Sequence, residues 1–233
     1  MKIKFSLFFL FFFGVKACFG QIALTDLQQL HDTALYKGGQ EELAKKLANN
    51  LRYPLEAMKS GRVGTVLGVI KLSNKGKILA TGTLNKADEN LKREFERVAK
   101  LTENNWAASD DTFSVFYAVI PVEFRLDGKQ YMANFSKRLA CFREPVLISG
   151  FSTPATYSEP ISKIEQLYVS RANKFVQKEK YDKAIEALEY LLNLQPLFVP
   201  YYQNLVMLNK KAGNSSEAAY YRQLLQLINS KVW

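Results

Sequence analysis

The chain has 233 residues, 48% of them apolar and 23% charged, a balance that supports one or two folded domains. Its formal net charge is +10, and it contains one histidine and two cysteines. Those counts leave no room for a His/Cys metal cluster or a multi-disulfide framework.

Lys2 and Lys4 precede an uncharged, largely apolar run of eleven residues from Phe5 to Val15, followed by Lys16 and the small residues Ala17, Cys18 and Gly20. A membrane-spanning helix needs about 20 apolar residues, so this run is too short. A basic start, a short apolar centre and small residues at its end predict an export signal over 1–20. Cleavage after Gly20 would leave Gln21 leading a periplasmic chain; lipid attachment at Cys18 is the alternative, with Lys16 against it. Removing 1–20 takes three lysines and no acid, leaving +7 spread thinly along the chain. No Lys/Arg stripe interleaves with aromatic residues, so nucleic acid is not an expected partner. Cys141 is then the single remaining cysteine, expected as a buried thiol.

Residues 24–59 read as helical: Leu24, Leu27, Leu30 and Leu35 form a loose stripe, Gly38-Gly39 breaks it, and Leu43, Leu47 and Leu51 resume it. Pro54 permits a short helix through Ala57 and Met58. From Gly61 the period changes to two. Val66, Ile70 and Leu72 alternate with Thr65, Leu67 and Val69, so both faces of this strand are apolar. Ser73-Asn74-Lys75-Gly76 supplies a turn into a second strand over Ile78, Ala80 and Leu84. Asp88 can cap a helix with Leu91, Phe95 and Val98 on its inner face and Lys92, Arg93, Glu96, Arg97 and Lys100 toward water. A long strand follows over Thr112–Leu126, where Pro121 requires a free edge or a bulge. Asp127-Gly128 predicts a hairpin, with Tyr131–Phe142 a weaker returning strand.

The expected fold class is therefore α+β over 21–142, a small antiparallel sheet with helices. Pro145, Pro154, Pro160 and Gly150 mark 143–160 as a linker. An all-α domain follows over 161–233. Shifted by 34 residues, Tyr168 falls on Tyr202, Ala184 on Ala218 and Leu191 on Leu225. With Ala172, Phe175, Leu188 and Pro196, this stretch resembles a pair of tetratricopeptide repeats. The second copy departs at Arg222, as a last helix with one exposed face would. Two repeats seldom bury a core alone, so the first helix, with Tyr168 and Phe175, is expected to dock on the α+β domain or on another copy.

Residues 38–126 carry further separated features: Gly38-Gly39-Gln40-Glu41, Leu51-Arg52-Tyr53-Pro54-Leu55-Glu56-Ala57, Gly64-Thr65-Val66 and Asn74-Lys75-Gly76-Lys77-Ile78. The helix from Leu91 to Leu101, then Trp106 and Ile120-Pro121-Val122-Glu123-Phe124, complete the set. In combination they resemble the carboxy-terminal domain of the TonB family, though Trp106-Ala107-Ala108 lacks a proline usual there. The resemblance implies a docking module that captures a partner segment, such as one from an outer-membrane transporter or another envelope complex, by adding a strand to its sheet. Phe113, Val115, Tyr117 and Val119 would line that edge, or else fill the core. Pairing with an equivalent chain is the other use of the same edge. On the helical repeat, Asn173 and Tyr202 are the candidates for a peptide on the concave side.

Energy transduction needs a retained membrane helix and a long spacer, so a protein-binding adaptor is the leading expectation and a TonB-like energy transducer the alternative. Catalysis is not expected. The single histidine, His31, has no nucleophile turn near it. Asp88/Glu89 and Asp110/Asp111 sit where solvated carboxylates are usual, and no Gly-rich phosphate loop occurs. No cofactor, metal or small-molecule substrate is expected.

Overall fold

The computed structural model describes residues 35–108, 115–126, 146–151 and 161–229. The helical stripe over 24–34, Asp110/Asp111, Phe113, the Asp127-Gly128 turn, the returning strand Tyr131–Phe142 and Cys141 lie outside the described residues.

The fold is α+β. Helix α1 covers Gly39–Asn50 and α2 covers Leu55–Lys59, with Pro54 preceding its first turn. Strand β1 (Gly64–Ser73) turns into β2 (Ile78–Thr83), and α3 (Glu89–Lys100) leads back to β3 (Val115–Leu126). A fourth strand, β4 (Val146–Gly150), precedes four helices: α4 (Ile161–Gln177), α5 (Tyr181–Leu194), α6 (Val199–Lys211) and α7 (Ser215–Asn229).

Each boundary has a local cause. The β1–β2 turn closes through Gly76, whose N–H donates to the Ser73 carbonyl at 2.9 Å and whose φ is +72°. A Cβ there would lie 2.5 Å from the Trp106 carbonyl oxygen, so both conformation and space require glycine. Asp88 caps α3 by accepting from the Asn90 N–H at 3.0 Å. Leu91, Phe95 and Val98 are buried, as the helical period requires. Glu96 is a correction to the expected outer face. It is half-buried, and its Oε1 is enclosed without a hydrogen-bond partner among the described residues. Burial raises the Glu96 carboxyl above its ordinary range.

The sheet order is β2-β1-β3-β4. β1 pairs antiparallel with β2 and β3, whereas β4 lies parallel to β3, with Val122 opposite Val146 and Leu126 opposite Gly150. Two expectations are thereby corrected: the sheet is mixed, and the presumed linker 143–160 contains a strand. Val146 and Ile148 are buried while Leu147 and Ser149 are exposed, the alternation of a strand with one covered face.

Pro121 sits opposite Leu67 in the β1–β3 ladder, which shows no register shift there. The Leu67 N–H and C=O both point the other way, to Asn85 Oδ1 and the Leu84 N–H, at 2.8 Å each. Leu67 and Pro121 therefore form a non-hydrogen-bonded pair, and the missing proline N–H costs that ladder nothing. On its other side the pairing with β4 starts one residue later, at Val122.

Both faces of the sheet are covered. Val66, Ile70, Leu72, Phe116, Ile120 and Phe124 pack with α1, α3 and Trp106. Gly68 lets the Phe95 ring lie directly on β1, since a Cβ would stand 2.1 Å from it. Leu67, Val69, Tyr117 and Val119 face the opposite way, into a cluster built mainly from α5, α6 and α7. The four carboxy-terminal helices pack sequentially, and α5 and α7 begin 34 residues apart, at Tyr181 and Ser215. Contact with β1 comes from α5, and α7 reaches Leu84 and Lys86, so these helices share in the docking that was expected of the first helix.

Candidate functional site

The expected partner residues fall into separate environments. Tyr117 and Val119 are buried in the core between sheet and helices, and Val115 is half-buried against the same cluster. Alternation along β3 aims all three at the helices rather than at an edge, so of the two expected uses they take the place in the core. The outer side of β3 is moreover taken by β4 over Val122–Leu126. Tyr202 is fully buried, its hydroxyl donating to the Pro196 carbonyl at 2.6 Å, so it is a core residue of α6. Of the five expected residues that are described, Asn173 alone is exposed, on α4.

The contact between sheet and helices has a polar centre. Lys86, just beyond β2, donates from Nζ to Glu217 at 2.7 Å and to Glu189 at 3.0 Å. Its ammonium also lies 5.4 Å from the Tyr221 ring centroid. The Tyr221 hydroxyl donates to Glu189 at 2.5 Å, and the Tyr220 hydroxyl to the Leu84 carbonyl at 2.6 Å. Burial pulls the Lys86 ammonium down, but the bonds to Glu217 and Glu189 outweigh it and the net shift is upward. Burial, reinforced by Glu189 and Glu217, drives the Tyr220 and Tyr221 hydroxyls far above the ordinary tyrosine range.

A groove of about 570 Å³ opens between α4 and α5, beside the loop that leads into β1. Tyr168 and Tyr190 stack across it with ring centroids 4.3 Å apart and an interplanar angle of 18°. Phe175 and the buried Ala187 extend this apolar floor. Arg171 lies 5.1 Å over Tyr168, Lys183 lies 5.9 Å from the Phe175 centroid, and Arg62 enters from the sheet side. Burial raises the Tyr190 hydroxyl, with Tyr168 adding to the shift and Arg62 opposing it. Asn173 is not among the residues that line this groove.

Lys86, Glu189, Tyr190, Arg171 and Lys183 were not singled out from sequence. Arg171 follows Tyr168 by three residues on one helix, a spacing that places the two side chains together and could have been read. Lys86 lies in a loop with no periodicity, and its partners are more than 100 residues away. Among the described residues no three His, Cys, Asp or Glu side chains are grouped to hold a metal ion, and no helix is long and apolar enough to cross a membrane.

No protein-family model matches the chain, and neither the curated proteins nor the solved structures contain a match.

Proposed function

We propose that the chain is a periplasmic protein-binding adaptor, in which a TonB-like docking domain is joined to a tetratricopeptide-like helical platform. The observation that carries this reading is the way the platform is mounted. Its contact with the sheet runs through α5 and α7, while α4 and α6 present the exposed Gln166, Asn173, Gln203 and Met207 to solvent. A scaffold with rigid elements turned outward suits recognition of a partner.

The residues that resemble the TonB family have structural roles that suit a common origin. Tyr53 packs edge-on against Phe124 and donates its hydroxyl to the Arg62 carbonyl, and Ala57 is fully buried. Strand addition would then use an outer edge of the sheet. Among the described residues β4 is one such edge; the exposed Leu147 lies on it and the exposed Phe151 follows it.

The test is a photo-crosslinking amino acid placed in living cells at Asn173, at Leu147 and, as control, at the exposed turn residue Lys75. The adaptor reading expects discrete adducts at one or both of the first two positions and none at Lys75. No adduct at either overturns it. Sequencing the amino terminus of the same material separates adaptor from transducer: Gln21 is expected of an exported adaptor, and an intact Met1 of an anchored transducer.

A further inference from the structure

The groove between α4 and α5 has a charge imbalance that points to a ligand class. Three cations border it: Arg62, Arg171 and Lys183. Neither Arg171 nor Lys183 has a carboxylate within ion-pair distance among the described residues; each rests over an aromatic ring instead. The nearest carboxylate to Arg62 is Asp88, at 3.9 Å, and the Arg62 side chain is 58% exposed. Two acids share the lining. Glu189 is already engaged by Lys86 and Tyr221, which leaves Glu186 as the one acid free to act on a ligand.

The other lining groups narrow the class. A stacked tyrosine pair with Phe175 offers a flat apolar floor, suited to an aromatic or long aliphatic side chain. Glu186 can accept an N–H and the Asn193 amide can donate to a C=O, the two needs of a peptide backbone. A nucleic-acid strand would need cations tracking a phosphate backbone, and here the three cations share one short groove with the acid Glu186. The volume lies within the range of about 300–1,000 Å³ usual for ligand sites.

We propose that this groove binds an acidic peptide segment of a partner protein, two or more carboxylates flanking an aromatic side chain that settles on the Tyr168–Tyr190 pair. The proposal rests on the adaptor reading and adds the chemistry of the partner. Arg171 and Lys183 take the carboxylates, and the tyrosines take the ring.

Fluorescence anisotropy of the full mature chain tests it, with a fluorescein-labelled heptapeptide of sequence Gly-Asp-Glu-Phe-Glu-Asp-Gly. The control is the same peptide with lysine at the four acidic positions. The acidic peptide is expected to bind at least about tenfold more tightly, and to weaken several-fold between 50 and 300 mM salt. Arg171→Glu with Lys183→Glu alters two exposed side chains, so circular dichroism should stay unchanged while affinity falls about tenfold or more. Tyr168→Ala is expected to weaken the phenylalanine peptide but not a variant with glycine in its place. Equal binding of acidic and basic peptides, or an affinity untouched by the double charge reversal, overturns the proposal. Displacement by a short single-stranded DNA as readily as by unlabelled peptide also overturns it, because the groove would then be a general anion patch. Crosslinks at Asn173 or Leu147 with no peptide binding here would leave the adaptor standing and remove this groove.

Discussion

At the scale of single residues, Asn85 shows how one side chain can finish what the backbone leaves open. β2 ends at Thr83, yet the ladder to β1 continues because the Asn85 Oδ1 accepts from the Leu67 N–H at 2.8 Å and its Nδ2 donates to the Thr65 carbonyl at 2.7 Å. All of these groups are buried, so neither backbone group has water as a substitute. Asn85→Ala leaves a buried N–H and a buried C=O without partners. A loss of about 2–4 kcal/mol is expected from urea unfolding followed by circular dichroism. Asn74→Ala, in the exposed turn, should stay within about 0.5 kcal/mol of the parent. Equal effects of the two would show that the buried pair of bonds contributes nothing.

At the scale of elements, the two helical pairs expose a difference between aligned turns. Gly213 holds φ +78° after α6, and the residue 34 positions earlier, Glu179, holds φ +55° after α4. The second copy places there the residue suited to a left-handed conformation, and the first bears the strain of a side chain. Glu179→Gly is expected to stabilise the protein by about 0.5–1 kcal/mol, and Gly213→Ala to destabilise it by about 1 kcal/mol. Nothing lies within 4 Å of a Cβ at Gly213, so its cost would be one of backbone alone. Thermal melts of both variants check the pair, and a destabilised Glu179→Gly would contradict it. Most elements were legible because hydrophobic period and punctuation agree: Asp88 before α3, Gly76 in the turn, the alternation along β1 and the 34-residue offset of the helices. β4 was missed because three prolines around it suggested a linker, although Val146 and Ile148 already alternate with Leu147 and Ser149. Strand direction has no signature in side-chain alternation, so parallel pairing was not readable. The apolar groups on both faces of β1 were visible, but what covers the second face depends on helices more than 100 residues away. The candidate site was the least legible part: of the five expected residues that are described only Asn173 is exposed, and the groove brings together Arg62 and Lys183 from widely separated parts of the sequence.

At the scale of the molecule, the seam between sheet and helices holds the parts together with apolar contact and a polar latch. Its tyrosines give it an alkaline limit. Tyr190, Tyr220 and Tyr221 have hydroxyls raised above the ordinary 10.0, chiefly by burial, and Lys86 is raised above 10.5 despite burial by its two carboxylates. A group whose pKa is higher folded than unfolded stabilises fully below its unfolded value and loses that contribution as pH rises through its folded value. Stability should therefore hold to about pH 10 and decline above it. Tyrosinate absorbance near 295 nm should appear together with unfolding; early absorbance from these groups in a still-folded chain would contradict the shifts. The seam also predicts how the helices behave without the sheet. Removing residues 1–160 uncovers the side of α5 that packs on β1 and deletes Lys86, leaving Glu189 and Glu217 without their cation. Two helical pairs stack too few layers to bury a continuous core unaided. Residues 161–233 expressed alone should melt well below the full chain or associate as concentration rises. Lys86→Glu in the full chain isolates the polar share of this support, because it keeps the apolar contact and sets three carboxylates together. It is expected to cost at least about 2 kcal/mol. A monomeric fragment that melts cooperatively at the parent's temperature would show that the sheet lends the helices no stability, and would reduce the seam to passive contact.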